Sequence, residues 1–148
     1  MAYDKTGPWR PDSPGQHAPY DMCVTQLDYW QNDRSVPLDK EVLGLPFYGY
    51  GFGKDTAFGL SYKQILERYL MPDNGAGVST QLGTGADSVN HITLSSGIDI
   101  YYNGPKLIIK KVRLAKKRAA GIMIWHLMQD AEGDYSLLKA IHSAISRH

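Results

Sequence analysis

Two uninterrupted apolar runs, Val42–Tyr48 and Gly121–Leu127, stand out in the pattern of hydrophobic and polar positions. Such runs are typical of strands that are covered on both faces in a parallel sheet. The chain opens on Met1–Asp4, which we interpret as the tip of a third buried strand that carries an aromatic hydroxyl and a carboxylate. Because a parallel strand usually has about five apolar residues, this start predicts that the chain is the later part of a larger domain.

Apolar residues recur at helical spacing between and after these runs. The spacing predicts a helix over Tyr20–Asp33 and a second over Pro105–Ala119, where the proline suits the first helical position. A third helix is predicted to begin at Asp134, which would act as its N-cap. The side chains predicted to face inward are Met22, Val24, Leu27 and Trp30, then Ile108, Val112, Ala115 and Ala119, then Leu138, Ile141 and Ile145. This alternating order of strands and helices predicts a parallel α/β sheet or barrel.

About fifty residues separate the second predicted strand from its helix, far more than a strand-to-helix loop usually takes. Ser61 and Gln64 have the spacing of a capping box and predict a short helix. The alternation over His91–Tyr102 predicts a β-hairpin, and the glycine-rich stretch Gly75–Gly85 is predicted to be a loop. The predicted boundaries are 1–148 for a partial barrel domain and 53–104 for an α+β insertion within it.

The composition narrows the range of partners. Sixteen Lys and Arg against fifteen Asp and Glu leave a formal net charge of +1 on the 148 residues, so no whole-molecule field attracts nucleic acid or an anionic membrane. The basic residues between Lys106 and Arg118, Lys111 among them, are interpreted as the solvated face of an amphipathic helix. No apolar run reaches the ~18 residues of a membrane span. Cys23 is the only cysteine, and the five histidines show no zinc spacing, so we expect an uncharged partner and no metal site.

Three motifs in the same order resemble the last three barrel strands of family 18 glycoside hydrolases, the chitinase family. They are Met1–Asp4 followed by Gly7-Pro8-Trp9, then Leu43–Gly49, then Gly121–Trp125. The resemblance covers essentially the whole chain. It implies a TIM (β/α)8 barrel to which this chain contributes strands 6–8, with the α+β insertion between strand 7 and its helix. The C-terminal ends of barrel strands meet at one face, where the active site lies.

The resemblance implies retaining hydrolysis of β-1,4-linked N-acetylglucosamine polymers, in which the substrate's own acetamide acts as the nucleophile. It also implies two catalytic residues: Tyr3 donates a hydrogen bond to the acetamide, and Asp4 orients the distorted sugar. The substrate-binding residues that it implies are Met1 and Trp125 at the acetamide subsite, Trp9 on the leaving-group side, and Tyr48 at a sugar ring. The expected partner is chitin or an N-acetylglucosamine oligosaccharide, with no cofactor and no metal ion.

The family's proton donor is absent from the sequence. The family carries it in an Asp-x-x-Asp-x-Asp-x-Glu motif, and no such string occurs in these 148 residues. Because removing one member of a catalytic unit costs several orders of magnitude in rate, the chain alone is predicted to be inactive. In addition, Tyr50 stands where many relatives carry Arg, and His126 where relatives often carry Glu or Gln. Two alternatives stay open: a non-catalytic, lectin-like sugar-binding relative, and a fragment without an independent role.

The exposed strand edges and the amino-terminal sequence bear on self-association and on localisation. Three strands of an eight-stranded barrel leave strand edges open, which predicts self-association through the exposed edges. No basic start followed by an apolar segment marks a signal peptide, so the sequence itself leaves localisation unknown. The family resemblance implies an extracellular or periplasmic parent protein.

Overall fold

The computed structural model describes residues 1–70 and 90–146. The predicted loop Gly75–Gly85 lies outside these ranges. In chain order the strands are β1 (Val42–Pro46), β2 (Tyr48–Gly53), β3 (Thr56–Ser61), β4 (Asn90–Thr93), β5 (Asp99–Tyr102) and β6 (Gly121–Trp125). The α-helices are α1 (Tyr20–Asp28), α2 (Tyr62–Ile65), α3 (Pro105–Arg118) and α4 (Leu137–Ser146), and π-helical turns extend α1 over Tyr29–Asp33 and α2 over Leu66–Leu70. Among the described residues, short 3₁₀ turns cover Leu38–Lys40, Leu127–Gln129 and Gly133–Tyr135.

The two apolar runs pair with each other as parallel strands, as the sequence predicts. Strand β1 lies beside β6 in a register that places Val42 opposite Gly121 and Pro46 opposite Trp125. Helix α3 connects the insertion to β6 and packs against both strands. Leu43 and Leu45 are buried, so the C-terminal ends of both strands emerge from the core side by side.

Met1–Asp4 does not form the predicted strand. Ala2 and Tyr3 are buried and lie beside β1, where a side chain on Gly44 would clash with the Tyr3 ring. The backbone leaves the extended conformation at Asp4, whose φ is +66°. Within the described ranges, β1 and β6 are the only strands of the parallel sheet.

The described residues between β1 and α3 form an antiparallel sheet with the strand order β3-β2-β5-β4. The predicted hairpin is confirmed as β4 and β5. Strands β2 and β3 were not predicted. The apolar run that was predicted as one strand is interrupted at Phe47, and β2 begins at Tyr48, before residue 53, where the insertion was predicted to begin. The glycines of β2 allow close packing, since a Cβ on Gly49 would collide with the Tyr101 carbonyl oxygen and one on Gly51 with the Phe58 ring.

The capping box at Ser61 and Gln64 is confirmed by hydrogen bonds in both directions. Helix α3 has Pro105 in its first turn, as predicted. Lys111 was predicted to lie on the solvated face of α3, but its side chain is fully buried. Its Nζ donates to the Ala18 carbonyl oxygen at 2.7 Å and to Asn103 Oδ1 at 2.5 Å, and burial lowers its pKa to about 8. No helix within the described ranges is long and apolar enough to span a bilayer.

Helix α4 begins three residues later than predicted, at Leu137. The cap is Ser136, whose Oγ accepts from the Lys139 amide, and not Asp134. Asp130 completes it, because its two oxygens accept the amides of Leu137 and Leu138 and the Ser136 hydroxyl. The buried face also differs from the prediction: Leu137, Ile141 and Ala144 are buried, whereas Leu138 and Ile145, predicted to face inward, are exposed.

Asp130→Ala is expected to lower the free energy of unfolding by about 2 kcal/mol, because four hydrogen bonds to one carboxylate lose their acceptor. The matched control is Asp134→Ala, which removes only an exposed contact to Lys139 and is expected to change stability little. Urea denaturation of the two variants measures the difference. A larger loss for Asp134→Ala would contradict this assignment of the cap.

Candidate functional site

A groove of about 420 Å³ opens where β1 and β6 end. Asp4, Tyr48, Tyr50 and Trp125 line it, together with Ser61 and Gln64 from the start of α2. The parallel register explains why these side chains meet. Trp125, the last residue of β6, lies opposite Pro46 of β1, and Tyr48 follows Pro46 by two residues. The groove therefore combines one carboxylate, two phenol hydroxyls and an exposed indole.

Asp4 accepts hydrogen bonds from two tyrosines on the same oxygen. The Tyr48 hydroxyl lies 2.6 Å and the Tyr50 hydroxyl 3.0 Å from Asp4 Oδ1. Burial raises the pKa of Asp4, but the neighbouring His17 imidazole and the two hydroxyls lower it more, so the pKa lies below its usual value. Asp4 is therefore a carboxylate at neutral pH.

Tyr48 and Tyr50 reach Asp4 together because alternate residues of a strand share one face. Both rings also contact each other edge to face at 5.5 Å. Burial and then the Asp4 charge raise the pKa of both phenols well above the usual value. Both hydroxyls thus remain proton donors over the whole range in which Asp4 is ionised.

His17 is a site residue that sequence reasoning missed, since the histidines were considered only for metal spacing. It is fully buried. Its Nε2 lies 3.2 Å from the Tyr48 carbonyl oxygen and its Nδ1 lies 3.5 Å from Asp4 Oδ1. Burial lowers the pKa of His17, the Asp4 charge opposes this, and the Lys111 charge adds to it, with a net lowering. The Pro- and Gly-rich loop around His17 offered no periodicity that could have revealed it.

The two tryptophans with predicted sugar-binding roles are both half exposed. Trp125 is 54% exposed and lines the groove. Trp9 packs edge to face on Tyr50, with ring centroids 5.5 Å apart, and its indole occupies the space where a side chain on Gly7 would lie. The structure thus brings Trp9, Tyr48, Asp4 and Trp125 to the same side of the molecule.

Tyr3 and Met1 lie outside the set of side chains that lines this groove. The Tyr3 ring packs edge to face on Tyr48 at 6.0 Å, and its hydroxyl donates to Met1 Sδ at 2.8 Å. Met1 is 74% exposed and borders a separate cavity of about 270 Å³ near Trp30 and Glu41. In the described ranges, no three His, Cys, Asp or Glu side chains are grouped closely enough to hold a metal ion.

Comparison with models of protein families shows the family of this chain. The family model described as "Glycosyl hydrolases family 18" matches residues 1–130. The chain belongs to glycosyl hydrolase family 18.

Chitinases are among the proteins that this chain resembles. The chain is 28% identical to Endochitinase 1 of Metarhizium robertsii, with 93% of this chain and 37% of the fungal protein covered. The solved GH18 chitinase ChiB from Flavobacterium johnsoniae is 37% identical, with a TM-score of 0.76 over 97% of this chain and 40% of the other. A chitinase from Bacteroides thetaiotaomicron is 32% identical, with a TM-score of 0.72 over 99% and 44%. The chain therefore spans less than half the length of these relatives.

Tyr48→Phe is expected to destabilise this family 18 chain by about 1 kcal/mol at pH 7, because one donor to a partly exposed carboxylate is lost. The pKa of Asp4 is lower in the folded state than in the unfolded state. The stabilisation by the Tyr48 hydroxyl is therefore present above the unfolded-state pKa and disappears as the pH falls through the folded-state pKa. Urea denaturation at pH 7 and pH 3 should therefore show a smaller difference between Tyr48→Phe and wild type at pH 3.

The control is Tyr62→Phe, which removes a buried hydroxyl away from Asp4. Its effect should change less with pH than that of Tyr48→Phe, because Asp4 is not among the charges that act on the Tyr62 phenol. A Tyr48→Phe effect that does not change with pH would contradict the role of the phenol in stabilising the Asp4 charge.

Proposed function

We propose that this chain is the part of a chitinase-like glycoside hydrolase that supplies barrel strands 6–8 and one wall of the substrate groove. The substrate class is a β-1,4-linked N-acetylglucosamine polymer, cleaved with retention. The order of the elements supports this placement, since Met1–Asp4 lies beside β1, and β1 lies beside β6. The names of the relatives support the substrate class.

The observation that carries the proposal is the position of Asp4 in a groove that it shares with Trp125. Aromatic faces pack on the apolar faces of sugar rings, while a few polar groups fix the orientation of the ring. Asp4 is held by Tyr48 and Tyr50 through Oδ1, and no hydrogen bond to its Oδ2 is present among the described residues. This oxygen is the acceptor that we assign to an N–H or O–H group of the sugar.

The proposed reaction is substrate-assisted. The acetamide oxygen attacks the anomeric carbon while an acid protonates the leaving oxygen, and holding the acetamide in line supplies much of the rate. Asp4 would help to orient the distorted sugar, and Tyr3 would donate a hydrogen bond to the acetamide after leaving Met1 Sδ. A high pKa, raised by burial and by the Asp4 charge, keeps Tyr3 protonated. Trp125 would form the floor of the subsite.

Binding of a chitin tetrasaccharide to the chain, measured by calorimetry, tests the sugar site. Trp125→Ala is expected to weaken binding at least about tenfold because the stacking surface is lost. Trp30→Ala is the matched control: this indole is 46% exposed and borders the separate cavity near Met1. Equal losses in the two variants, or tight binding by Trp125→Ala, would contradict the proposed subsite.

The isolated chain is expected to release no product from a fluorogenic chitobiose substrate, because the acid motif is absent from these 148 residues. A chain that binds the tetrasaccharide without hydrolysing it would agree with this expectation. Turnover at the rate of an ordinary chitinase would contradict it. In the parent protein, an intact acid motif would indicate an enzyme, and a replaced glutamate would indicate the lectin-like alternative.

A further inference from the structure

His17 is the polar group nearest to Asp4 that the mechanism above does not use. Its imidazole is fully buried between Tyr48 and Tyr50, with both ring centroids at 4.9 Å. The Tyr48 carbonyl oxygen is an acceptor, so Nε2 carries the proton that it donates across 3.2 Å. Nδ1 lies 3.5 Å from Asp4 Oδ1 and makes no hydrogen bond, although it is buried.

A neutral imidazole that donates from Nε2 has a lone pair on Nδ1. This lone pair faces Asp4 Oδ1, an acceptor that already receives hydrogen bonds from Tyr48 and Tyr50, so Nδ1 is left without a donor. A buried polar atom without a partner destabilises the folded state, because its hydration is lost and not replaced. One proton between Nδ1 and Oδ1 converts the contact into a charge-assisted hydrogen bond.

We propose that His17 is the positioning residue of Asp4: a proton taken up from water on Nδ1 is donated to Oδ1, and this bond holds the carboxylate with Oδ2 left for the sugar. The proposal deepens the proposed function and rests on it for the role of Asp4. His17 acts through Asp4 and does not touch the sugar. The shared proton makes the two groups titrate as a pair.

Other groups near Asp4 and His17 determine whether these two residues take up a proton. Tyr48 and Tyr50 donate to the same Oδ1 and compete with His17 for it. The Lys111 charge from α3 disfavours a proton on the imidazole, whereas the Asp4 charge favours it. A sugar over the groove removes water from Asp4, and the attraction between carboxylate and imidazolium strengthens at lower local dielectric. Sugar binding is therefore coupled to proton uptake on the pair.

Two substitutions distinguish the contact made by Nε2 of His17 from the contact made by Nδ1. The amide nitrogen of Gln takes the place of Nε2, so His17→Gln keeps the bond to the Tyr48 carbonyl and loses the contact to Asp4. The shorter Asn places its amide nitrogen near the position of Nδ1, so His17→Asn keeps a donor for Asp4. Carbon-13 shifts of the Asp4 carboxyl and nitrogen-15 shifts of His17, recorded from pH 3 to pH 8 without sugar, follow the pair directly.

In the wild-type chain, the Asp4 and His17 signals are expected to share a titration step. In His17→Gln the Asp4 step should move to higher pH, and in His17→Asn it should return toward the wild-type value. An Asp4 titration that is unchanged in His17→Gln, or displaced equally in both variants, overturns the proposal. If neither variant folds, Tyr50→Phe provides the test, because it removes a hydroxyl that competes with His17 for Asp4 Oδ1. The titration of His17 should then move to higher pH, and an unchanged titration overturns the proposal.

Calorimetry with the chitin tetrasaccharide then tests the coupling. His17→Gln is expected to bind about tenfold more weakly than wild type at pH 6 and His17→Asn within about threefold, with proton uptake on binding lost in His17→Gln. Equal affinity and equal proton uptake in wild type and His17→Gln overturn the coupling. A wild-type chain that does not bind the sugar contradicts the proposed function, while the sugar-free titration still tests the Asp4–His17 pair.

Discussion

The parallel pairing of β1 with β6 is the contact on which the site depends. Parallel strands end at the same edge of a sheet, so this pairing brings Trp125 beside Pro46. The chain then continues directly into β2, which presents Tyr48 and Tyr50 to Asp4. A slip of one residue in this register would turn every side chain of the strand to the opposite face and would separate the indole from the carboxylate.

A second constraint is the satisfaction of buried polar groups in the loop between Asp4 and α1. Lys111 donates to the Ala18 carbonyl, and Gln16 donates to the Tyr102 carbonyl while accepting from the Ala18 amide. These contacts connect the loop to α3 and β5 without relying on regular structure. They fix the neighbouring His17 between the tyrosines, so the surroundings of Asp4 depend on a lysine from a helix far along the chain.

Much of the fold was predictable because its signals are local. The continuous apolar runs predicted the parallel pair, the Ser61 and Gln64 spacing predicted a capped helix, and the alternation before Tyr102 predicted a hairpin, all of which the structure contains. Local signals failed at the start of α4. Asp130 satisfies that helix end from seven residues before Leu137, a distance that the spacing rules for caps do not cover.

The sequence alone determined the family and the parallel pair of apolar strands, and it singled out Asp4, Tyr48 and Trp125, which line one groove, because motifs and periodicity are local to the chain. Tertiary structure alone decided which groups meet at Asp4. The sequence pattern indicates that Lys111 is solvated and contains no signal for the environment of His17, yet both are fully buried. Burial and the partners of a polar group depend on contacts across tens of residues, such as the 93 between Lys111 and Ala18, and no local pattern encodes them.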